Sequence, residues 1–356
     1  MSSSTVPAYR SPITLSPRES GSFIAQRSRH VKIAVDNGAL ERVARDIGEQ
    51  IANGSVRETD WAAQEMHRKF GDPQQTLDWV FLIDTLNFSF WAEPGEMGCT
   101  VTSTSGSKQQ WTGYFALCAA VNNALDRGVP LTDPKFYSEV SLDGLNAILQ
   151  NDEGTPFPLM GERVEALHEA GKVLLEKFNG RFYDVYEACG GSVIEMINLV
   201  VSHFSSYRDS SVYAGREVWM LKRAQILCGD VDGSLRAFGV QRPFHDIGAL
   251  TAFADYRVPQ ALAYLGVLSY SDELLQRLKK GELLENGSLE EVEIRGCTID
   301  ACERIVDELK KTVSSSVEAS LVSAATVDYY LWCYRRKHAD AIEEAVPMHR
   351  VRCRYY

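Results

Sequence analysis

Apolar residues recur at helical spacing along most of the chain. In residues 39–51, for example, Leu40, Val43 and Ile47 follow the i, i+3, i+7 spacing of a helix with one buried face. The same spacing predicts further helices over residues 61–70, 114–127, 134–137, 142–149, 159–178, 182–189, 193–204, 219–228, 260–268, 272–278, 298–312 and 321–337. The chain is therefore expected to be mainly helical.

A strand-like pattern stands out in one region. Residues 100–104 and 110–114 are rich in Thr, Val and Trp, and they flank the polar turn Ser105-Gly106-Ser107-Lys108. Such an arrangement is typical of a β-hairpin. Residues 288–295 alternate only weakly, which is compatible with a turn or a short strand. The predicted fold class is mainly α with some α+β character: a single helical domain with a small antiparallel β element near residues 99–115.

The beginning of the chain differs from the rest in composition. Residues 1–17 are rich in Ser and Pro and lack the apolar core of a signal peptide. We expect a disordered tail over residues 1–17, followed by one domain over residues 18–356. No apolar run reaches the ~18 residues of a membrane span, so no membrane association is expected.

The net charge bears on which partners the protein can bind, and the cysteine content bears on its compartment. The net charge is −11, whereas a protein that binds a nucleic-acid polymer is expected to have a basic face. The eight cysteines include no CxxC pair, which favours free thiols in a reducing compartment. We therefore expect an intracellular, cytoplasmic protein, monomeric and without a stable nucleic-acid complex. Because His, Cys and carboxylate residues are not clustered, no metal site is expected.

One stretch combines a carboxylate with aromatic residues beside a break in helical geometry. It is AFADYRVPQ at residues 252–260, in which Asp255 follows Phe253 by two positions. Pro259 disfavours helical geometry at the preceding residue, and it can also open a new helix. An acid at such a break can face a cleft that has Phe253 as one wall. Alternatively, Phe253 belongs to the core, and Asp255 pairs with Arg257 or caps the next helix.

A second acid lies among aromatic residues far along the chain. In VDYYLWCY at residues 327–334, Asp328, Leu331 and Trp332 are spaced i, i+3 and i+4 and share one helical face. Burying an ionised carboxylate there is costly unless it is paired or functional. Two such elements could form a pocket for a flat heterocycle. Cleaving a glycosidic bond needs this combination, because a carboxylate stabilises the oxocarbenium-like cation and aromatic rings stack on the base.

Stretches from most of the chain together resemble one known family. They are residues 84–91 (DTLNFSFW), 117–122 (LCAAVN), 174–178 (LLEKF), 222–227 (KRAQIL), 253–260 (FADYRVPQ), 291–297 (EVEIRGC), 328–332 (DYYLW) and 349–356 (HRVRCRYY). The family is that of the queuosine salvage proteins, the queuosine 5′-phosphate N-glycosylase/hydrolases. The resemblance covers about residues 16–356.

The resemblance implies a fold and an activity. The implied fold is helical and similar to helix-hairpin-helix DNA glycosylases, with a small β element. The implied reaction is hydrolysis of the N-glycosidic bond of queuosine 5′-phosphate, which releases the base queuine for salvage into tRNA modification. No metal or organic cofactor is implied, and the expected partners are the small molecules queuosine 5′-phosphate and queuine.

The resemblance also implies site residues. Positions that line the queuine pocket in the family match His67, Phe253, Asp255, Asp328 and Tyr329. The family has a further acid where this sequence has Cys333, so that contact is either lost or replaced by another acid. We assign Asp255 as the catalytic carboxylate at the anomeric carbon, acting as nucleophile or as electrostatic stabiliser. The substrate-binding candidates are His67, Phe253, Asp328, Tyr329, Cys333 and Lys222.

Some assignments stay open from the sequence. Asp255 and Asp328 could exchange roles, because either acid could lie at the anomeric carbon. Lys222 and Arg223 are candidates for the 5′-phosphate, and Arg257 could orient Asp255. Two rival functions remain: a DNA or nucleoside glycosylase of other specificity, and a protein that binds a nucleoside without turnover.

Overall fold

Helices form most of the structure, a computed structural model that describes residues 7–35, 38–55, 61–93, 98–312 and 321–356. In the first half they are α1 (Pro17–Ala25), α2 (Ala39–Ala52), α3 (Pro73–Thr85), α4 (Tyr114–Asp126), α5 (Pro134–Tyr137), α6 (Leu142–Ile148) and α7 (Met160–Lys177). In the second half they are α8 (Phe182–Ala188), α9 (Val193–His203), α10 (Lys222–Arg236), α11 (Val258–Tyr264), α12 (Asp272–Lys279), α13 (Leu289–Thr312), α14 (Ala324–Lys337) and α15 (Ala339–Ala345). The prediction of a mainly helical fold is confirmed. None of the helices described here is long and apolar enough to cross a membrane.

Side-chain caps in the sequence define where several helices begin. The Ser16 hydroxyl accepts from the Glu19 N–H, and the Glu19 carboxylate accepts from the Ser16 N–H, which forms a capping box at α1. Asp72 precedes Pro73 at the start of α3, and its Oδ1 accepts from the Gln74 N–H at 3.0 Å. These contacts satisfy backbone donors that have no partner within the helix.

The strands of the described chain form three antiparallel pairs. β2 (Thr100–Thr102) pairs with β3 (Gln110–Thr112), as predicted near residues 99–115. β1 (Val31–Ile33) pairs with β6 (Leu268–Tyr270), and β4 (Ser210–Tyr213) pairs with β5 (Arg216–Trp219); neither pair was predicted.

The turn of the β4–β5 hairpin explains why it was missed. Ala214 and Gly215 both have positive φ, 46° and 78°, as a two-residue type I′ turn requires. Alanine is rare in that conformation, so the sequence lacks the usual Asn-Gly signal. The helix predicted over residues 219–228 therefore begins later, at Lys222, because Trp219 ends a strand.

Two further local predictions are wrong. Residues 61–70 form a short 3₁₀ turn at Trp61–Ala63, followed by a loop. The Trp61 side chain packs closely on α10 and holds this segment there, since a Cβ atom at Gly233 would lie only 2.8 Å from the Trp61 Cβ. Residues 288–295 belong to α13 rather than to a turn or strand. The alternating charges there, at Glu291, Glu293 and Arg295, are buried and paired with other segments.

The start of the chain lies against the helical body where it is described. Residues 1–6 lie outside the described residues. Within 7–17, Ile13 is buried in the core, and the Arg10 N–H donates to Asn198 Oδ1 on α9 at 3.1 Å. This part of the expected tail therefore contacts the domain.

Buried apolar residues form two large clusters that together position the site. One surrounds α3, α4 and α7–α10, and the other surrounds α2, α11, α13 and α14. Between them lies a cavity lined by members of both, such as Phe115 from the first and Tyr256 from the second.

Candidate active site

The cavity between the two clusters has a volume of about 1040 Å³. That is near the upper end of the roughly 300–1,000 Å³ typical of small-molecule sites. Its walls come from α10, α14, the start of α4, the loop before α11 and the last residues of the chain. A nucleotide fits within such a volume.

The fold brings most of the predicted site residues together. The predicted residues that line the cavity are His67, Lys222, Phe253, Asp255, Asp328 and Tyr329. Cys333 does not line it; its thiol contacts the Tyr329 hydroxyl, one helical turn earlier on α14. The prediction that Cys333 binds substrate therefore has no support from its position.

The loop that carries Phe253 and Asp255 is anchored at successive residues. The Phe253 N–H donates to Asp328 Oδ1 at 2.8 Å. The Ala254 carbonyl accepts from Arg295 Nε at 2.9 Å. These bonds fix the loop to α14 and α13, so the Asp255 carboxylate is held in place before any ligand arrives, as precise catalytic geometry requires.

Asp255 uses one carboxylate oxygen for structure. Its Oδ1 accepts from the backbone N–H groups of Arg257, at 2.7 Å, and Val258, at 2.9 Å, at the start of α11. The capping interpretation is thus correct for this oxygen. The Arg257 guanidinium points elsewhere, 3.6 Å from Glu343, so Arg257 orients Asp255 through its backbone alone. Among the described residues no hydrogen bond reaches Oδ2 of Asp255, which lines the cavity.

Asp328 is more deeply buried than Asp255. Burial, together with the neighbouring Asp255 carboxylate, raises the pKa of Asp328 to about 8, against the opposing effects of the Phe253 N–H and the Lys222 ammonium. The carboxyl group is therefore largely protonated at neutral pH. A neutral carboxyl both donates and accepts hydrogen bonds, which suits recognition of an amide-like edge of a base.

The pKa of Asp328 predicts a pH-dependent stability. Because this pKa lies above the unfolded value of 3.8, the folded state holds a proton that the unfolded state releases. Stability contributed by the proton is complete below pH 3.8 and is lost as pH rises through about 8. Asp328→Asn stays neutral, and its amide oxygen can still accept from the Phe253 N–H. Its stability relative to wild type should therefore rise between pH 5 and 8, with a slope of up to about 1.4 kcal/mol per pH unit.

Urea unfolding of both proteins at several pH values measures this difference. Asp307→Asn is the matched control, because Asp307 is 71% exposed on α13. Its difference from wild type should stay flat over the same range. A flat difference for Asp328→Asn as well would show that Asp328 is ionised at neutral pH.

Lys222 places a cation among the acids of the cavity. It opens α10 and donates its backbone N–H to Asp209 Oδ2 at 3.1 Å. Burial lowers the pKa of Lys222, whereas the carboxylates of Asp255, Asp84 and Asp328 favour its charged form. Its charge is therefore shared among several carboxylates.

Arg223 does not take part in the cavity. Its guanidinium donates to backbone carbonyls, those of Asp84 at 3.0 Å, Thr85 at 2.7 Å, Ser206 at 3.1 Å and Arg354 at 2.6 Å. Its donors are used in this way and its side chain lies outside the cavity lining, so the structure does not support Arg223 as a candidate for the phosphate.

Aromatic rings form two walls of the cavity. Tyr329 and Trp332 lie on one face of α14 with ring centroids 6.3 Å apart and planes at 23°. On the opposite element, the Phe253 ring packs against Gly229 of α10, where a Cβ atom would lie 3.8 Å from Phe253 Cζ. A flat heterocycle can be held by such rings.

The structure adds a hydrogen-bonded series that sequence reasoning missed. His67 Nδ1 lies 3.0 Å from the Trp61 carbonyl, and His67 Nε2 lies 2.9 Å from the Tyr114 hydroxyl. The Tyr114 hydroxyl in turn lies 3.5 Å from Asp230 Oδ2. Burial lowers the pKa of His67 to about 4, so the imidazole is neutral and both its nitrogens are occupied within the protein.

One sequence signal could have identified Asp230. One face of α10 carries cavity residues with helical spacing: Lys222, Ile226, Gly229, Asp230 and Gly233. A cation, an acid and two glycines on a single helical face are unusual beside the apolar face of the same helix. Within the described residues, no group of three or more His, Cys, Asp or Glu side chains could hold a metal ion.

Fold and site together define a helical protein with a nucleotide-sized pocket built from aromatic rings and buried carboxyl groups. The chain belongs to the queuosine salvage protein family, whose model matches residues 66–356.

Relatives named queuosine 5′-phosphate N-glycosylase/hydrolase match over nearly their full length. The mouse protein (Mus musculus) is 44% identical over 346 residues, which are 96% of this chain and 99% of that protein. The Schizosaccharomyces pombe protein is 36% identical and covers 94% of this chain and 97% of its own. A bacterial relative from Sphaerobacter thermophilus is also 36% identical, with 90% and 92% covered.

Proposed function

We propose that this protein hydrolyses the N-glycosidic bond of queuosine 5′-phosphate and releases queuine and ribose 5-phosphate. The observation that carries the proposal is the Asp255 carboxylate, which lines the cavity and is capped through Oδ1, while no hydrogen bond among the described residues reaches Oδ2. It lies beside aromatic walls, in a family whose relatives are named for this reaction.

The chemistry follows from the base that leaves. Queuine is a 7-deazaguanine, so it lacks the ring nitrogen at which purines are commonly protonated for hydrolysis. The enzyme must therefore stabilise the sugar cation and the departing base by other means. Asp255 Oδ2 faces the developing positive charge at the anomeric carbon, as nucleophile or as a fixed negative charge while water attacks.

The remaining residues bind the two ends of the substrate. Phe253 and Tyr329 hold the base between them, and the neutral carboxyl of Asp328 meets its guanine-like edge or its amine. Lys222, a buried cation that lines the cavity, attracts the 5′-phosphate.

Product analysis by mass spectrometry tests the function. Purified protein incubated with queuosine 5′-phosphate should release queuine without added metal and in the presence of a chelator. A heat-inactivated sample is the control. Absence of release above that control would overturn the proposal, and tight binding without release would favour a nucleoside-binding protein.

Truncating either aromatic wall should weaken substrate binding. Phe253→Ala and Tyr329→Ala each remove a stacking surface worth ~1–3 kcal/mol, so KM should rise by about 5- to 150-fold. The far-UV circular dichroism spectrum should not change. Tyr264→Ala is the matched control, because Tyr264 lies outside the cavity lining and is 37% exposed. Loss of folding in place of affinity would show that these rings serve the core.

We also infer that the protein acts as a cytoplasmic monomer with one domain over residues 18–356 and no stable nucleic-acid complex. The net charge of −11 disfavours a polyanion, and all eight cysteines are free thiols, as is common in a reducing compartment. Light scattering after gel filtration should give the mass of a single chain, and a doubled mass would contradict this inference.

A further inference from the structure

Asp230 faces the cavity but has no part in the roles assigned so far. It is two helical turns after Lys222 on α10 and lines the cavity. The preceding residue, Gly229, packs against the Phe253 ring, which forms one wall of the base site. The Asp230 carboxyl is therefore beside the position proposed for the base.

The hydrogen bonds around Tyr114 leave its hydroxyl without a hydrogen for Asp230. A carbonyl only accepts, so the Nδ1 atom of neutral His67 carries the hydrogen that the Trp61 carbonyl receives. His67 Nε2 is then an acceptor, and the single hydrogen of the Tyr114 hydroxyl is donated to it. The Tyr114 oxygen lies 3.5 Å from Asp230 Oδ2 and does little to stabilise a charged carboxylate there, so the protonated form of Asp230 is favoured.

The charges that face Asp230 favour the same protonation state. Burial and the neighbouring Asp84 carboxyl raise the pKa of Asp230 well above its ordinary range, against smaller effects of the Tyr114 hydroxyl and the Lys222 ammonium. Asp84 is itself fully buried on α3, and its Oδ2 has no hydrogen-bond partner among the described residues. The Cys118 thiol, on the turn after Tyr114, is also buried and neutral. Lys222 faces both acids, and the Arg223 guanidinium also faces Asp84.

We propose that Asp230 is the general acid of the hydrolysis and transfers its proton to the departing base. This inference rests on the proposed function. The bond between the anomeric carbon and the base nitrogen breaks, and its electron pair leaves with the base. The Asp230 proton is transferred to a ring nitrogen of the base, which departs neutral. Water adds to the anomeric carbon and gives its proton to the Asp255 carboxylate, and solvent exchange returns both acids to their starting states.

Tyr114 and Asp84 are positioning residues in this scheme. The Tyr114 hydroxyl lies 3.5 Å from the Asp230 carboxyl and limits its orientation, and His67 fixes the direction of the Tyr114 hydroxyl. Asp84 disfavours a second negative charge nearby, so Asp230 keeps its proton until the base leaves. Asp255, by contrast, has its carboxylate stabilised by two backbone N–H groups. The cavity therefore separates an acid from a charged carboxylate, as a two-carboxyl mechanism requires.

A change of leaving group provides the decisive test. Asp230→Asn should lower kcat for queuosine 5′-phosphate by about 10²- to 10⁴-fold, the usual contribution of a general acid. The second substrate is 4-nitrophenyl β-D-ribofuranoside 5-phosphate, because nitrophenolate departs without protonation. The ratio of variant to wild-type kcat should return to within about 5-fold of unity on this probe. Asp255→Asn should remain impaired on both substrates, since the sugar cation forms in either case.

The pH dependence of kcat gives a second readout. Wild type should lose activity as pH rises through the pKa of Asp230, and this alkaline limb should be absent from the residual activity of Asp230→Asn. Asp84→Asn removes the neighbouring carboxyl that raises the pKa of Asp230, so it should move the limb to lower pH.

Specific outcomes overturn the general-acid assignment. They are an equal loss for Asp230→Asn on both substrates, full activity of that variant on the nucleotide, an alkaline limb that persists in it, or a limb that Asp84→Asn moves to higher pH. Each is measured against an active wild type. Failure of wild type to release queuine would instead refute the proposed function, so the two failures are distinguishable.

Discussion

Asp255→Asn is expected to lower kcat by ~10²–10³-fold while leaving substrate binding intact. The change keeps the shape of the side chain, and its amide oxygen can still accept from the N–H groups of Arg257 and Val258. It removes the negative charge that stabilises the sugar cation, and losing one preorganised electrostatic group has about this cost. The substrate is nearly neutral at the anomeric carbon before reaction, so its affinity should change little. Single-turnover kinetics and calorimetric titration with queuine measure the two effects separately.

Asp328→Asn is the informative comparison for this experiment. Because Asp328 contacts the Phe253 loop and is largely neutral, its replacement should mainly weaken binding. Normal turnover in Asp255→Asn together with an Asp328→Asn protein that binds but does not react would reverse the two assignments. No effect in either variant would show that both acids are structural.

Arg295→Met is expected to lower the free energy of unfolding by about 3–5 kcal/mol, the usual cost of removing one partner from a buried ion pair. The guanidinium donates to both oxygens of Asp209, at 2.8 and 2.6 Å, and to Glu291 at 3.3 Å. Its side chain is 2% exposed, and the two acids are 5% and 1% exposed. Removing it leaves two carboxylates without their cation in the core.

Urea unfolding followed by circular dichroism measures this loss. The matched control is Arg304→Met on the same helix, because Arg304 pairs with Asp300 at 2.8 Å with a side chain that is 41% exposed. Exposed pairs of this spacing contribute about 0.5 kcal/mol or less. The deficit of Arg295→Met should shrink at acid pH, where the stranded carboxyls take up protons. A deficit no larger than that of the control would show that the buried cluster does not stabilise the fold.

The same cluster links stability to the site. Arg295 Nε donates to the Ala254 carbonyl, immediately before Asp255. Arg295→Met should therefore also loosen the loop that carries the catalytic carboxylate. The weak alternation of residues 288–295 is compatible with a turn or a short strand, but Arg295 lies within helix α13. The charged residues alternate because each one binds a different segment of the chain outside α13. Arg295 donates to Asp209, and Glu293 accepts from Ser28.

The two acid-and-aromatic stretches were recognisable because each is local. Asp255 beside Phe253, and Asp328 on the face of Trp332, are patterns within a few residues, and both stretches line the cavity. Arg223 shows the limit of this reasoning. It is adjacent to Lys222 in sequence, yet one helical position turns its guanidinium toward the backbone carbonyls of Asp84 and Thr85.

Asp230, Tyr114 and His67 illustrate what local patterns do not contain. They come from α10, the start of α4 and the loop after the 3₁₀ turn, and they meet only where Trp61 packs on α10. No sequence separation among them corresponds to a helical or strand period. The protonation of Asp230 depends on burial and on Asp84, which is distant in the chain.

The sequence by itself determined the helical class and the hairpin at residues 100–112, because hydrophobic spacing and turn residues act within a few residues. Its resemblance to the queuosine salvage proteins also indicated the family. Tertiary structure decided which polar residues face the cavity, which oxygen of Asp255 stays open and which acids keep a proton. Those properties depend on long-range packing and desolvation, and neither follows from spacing along the chain.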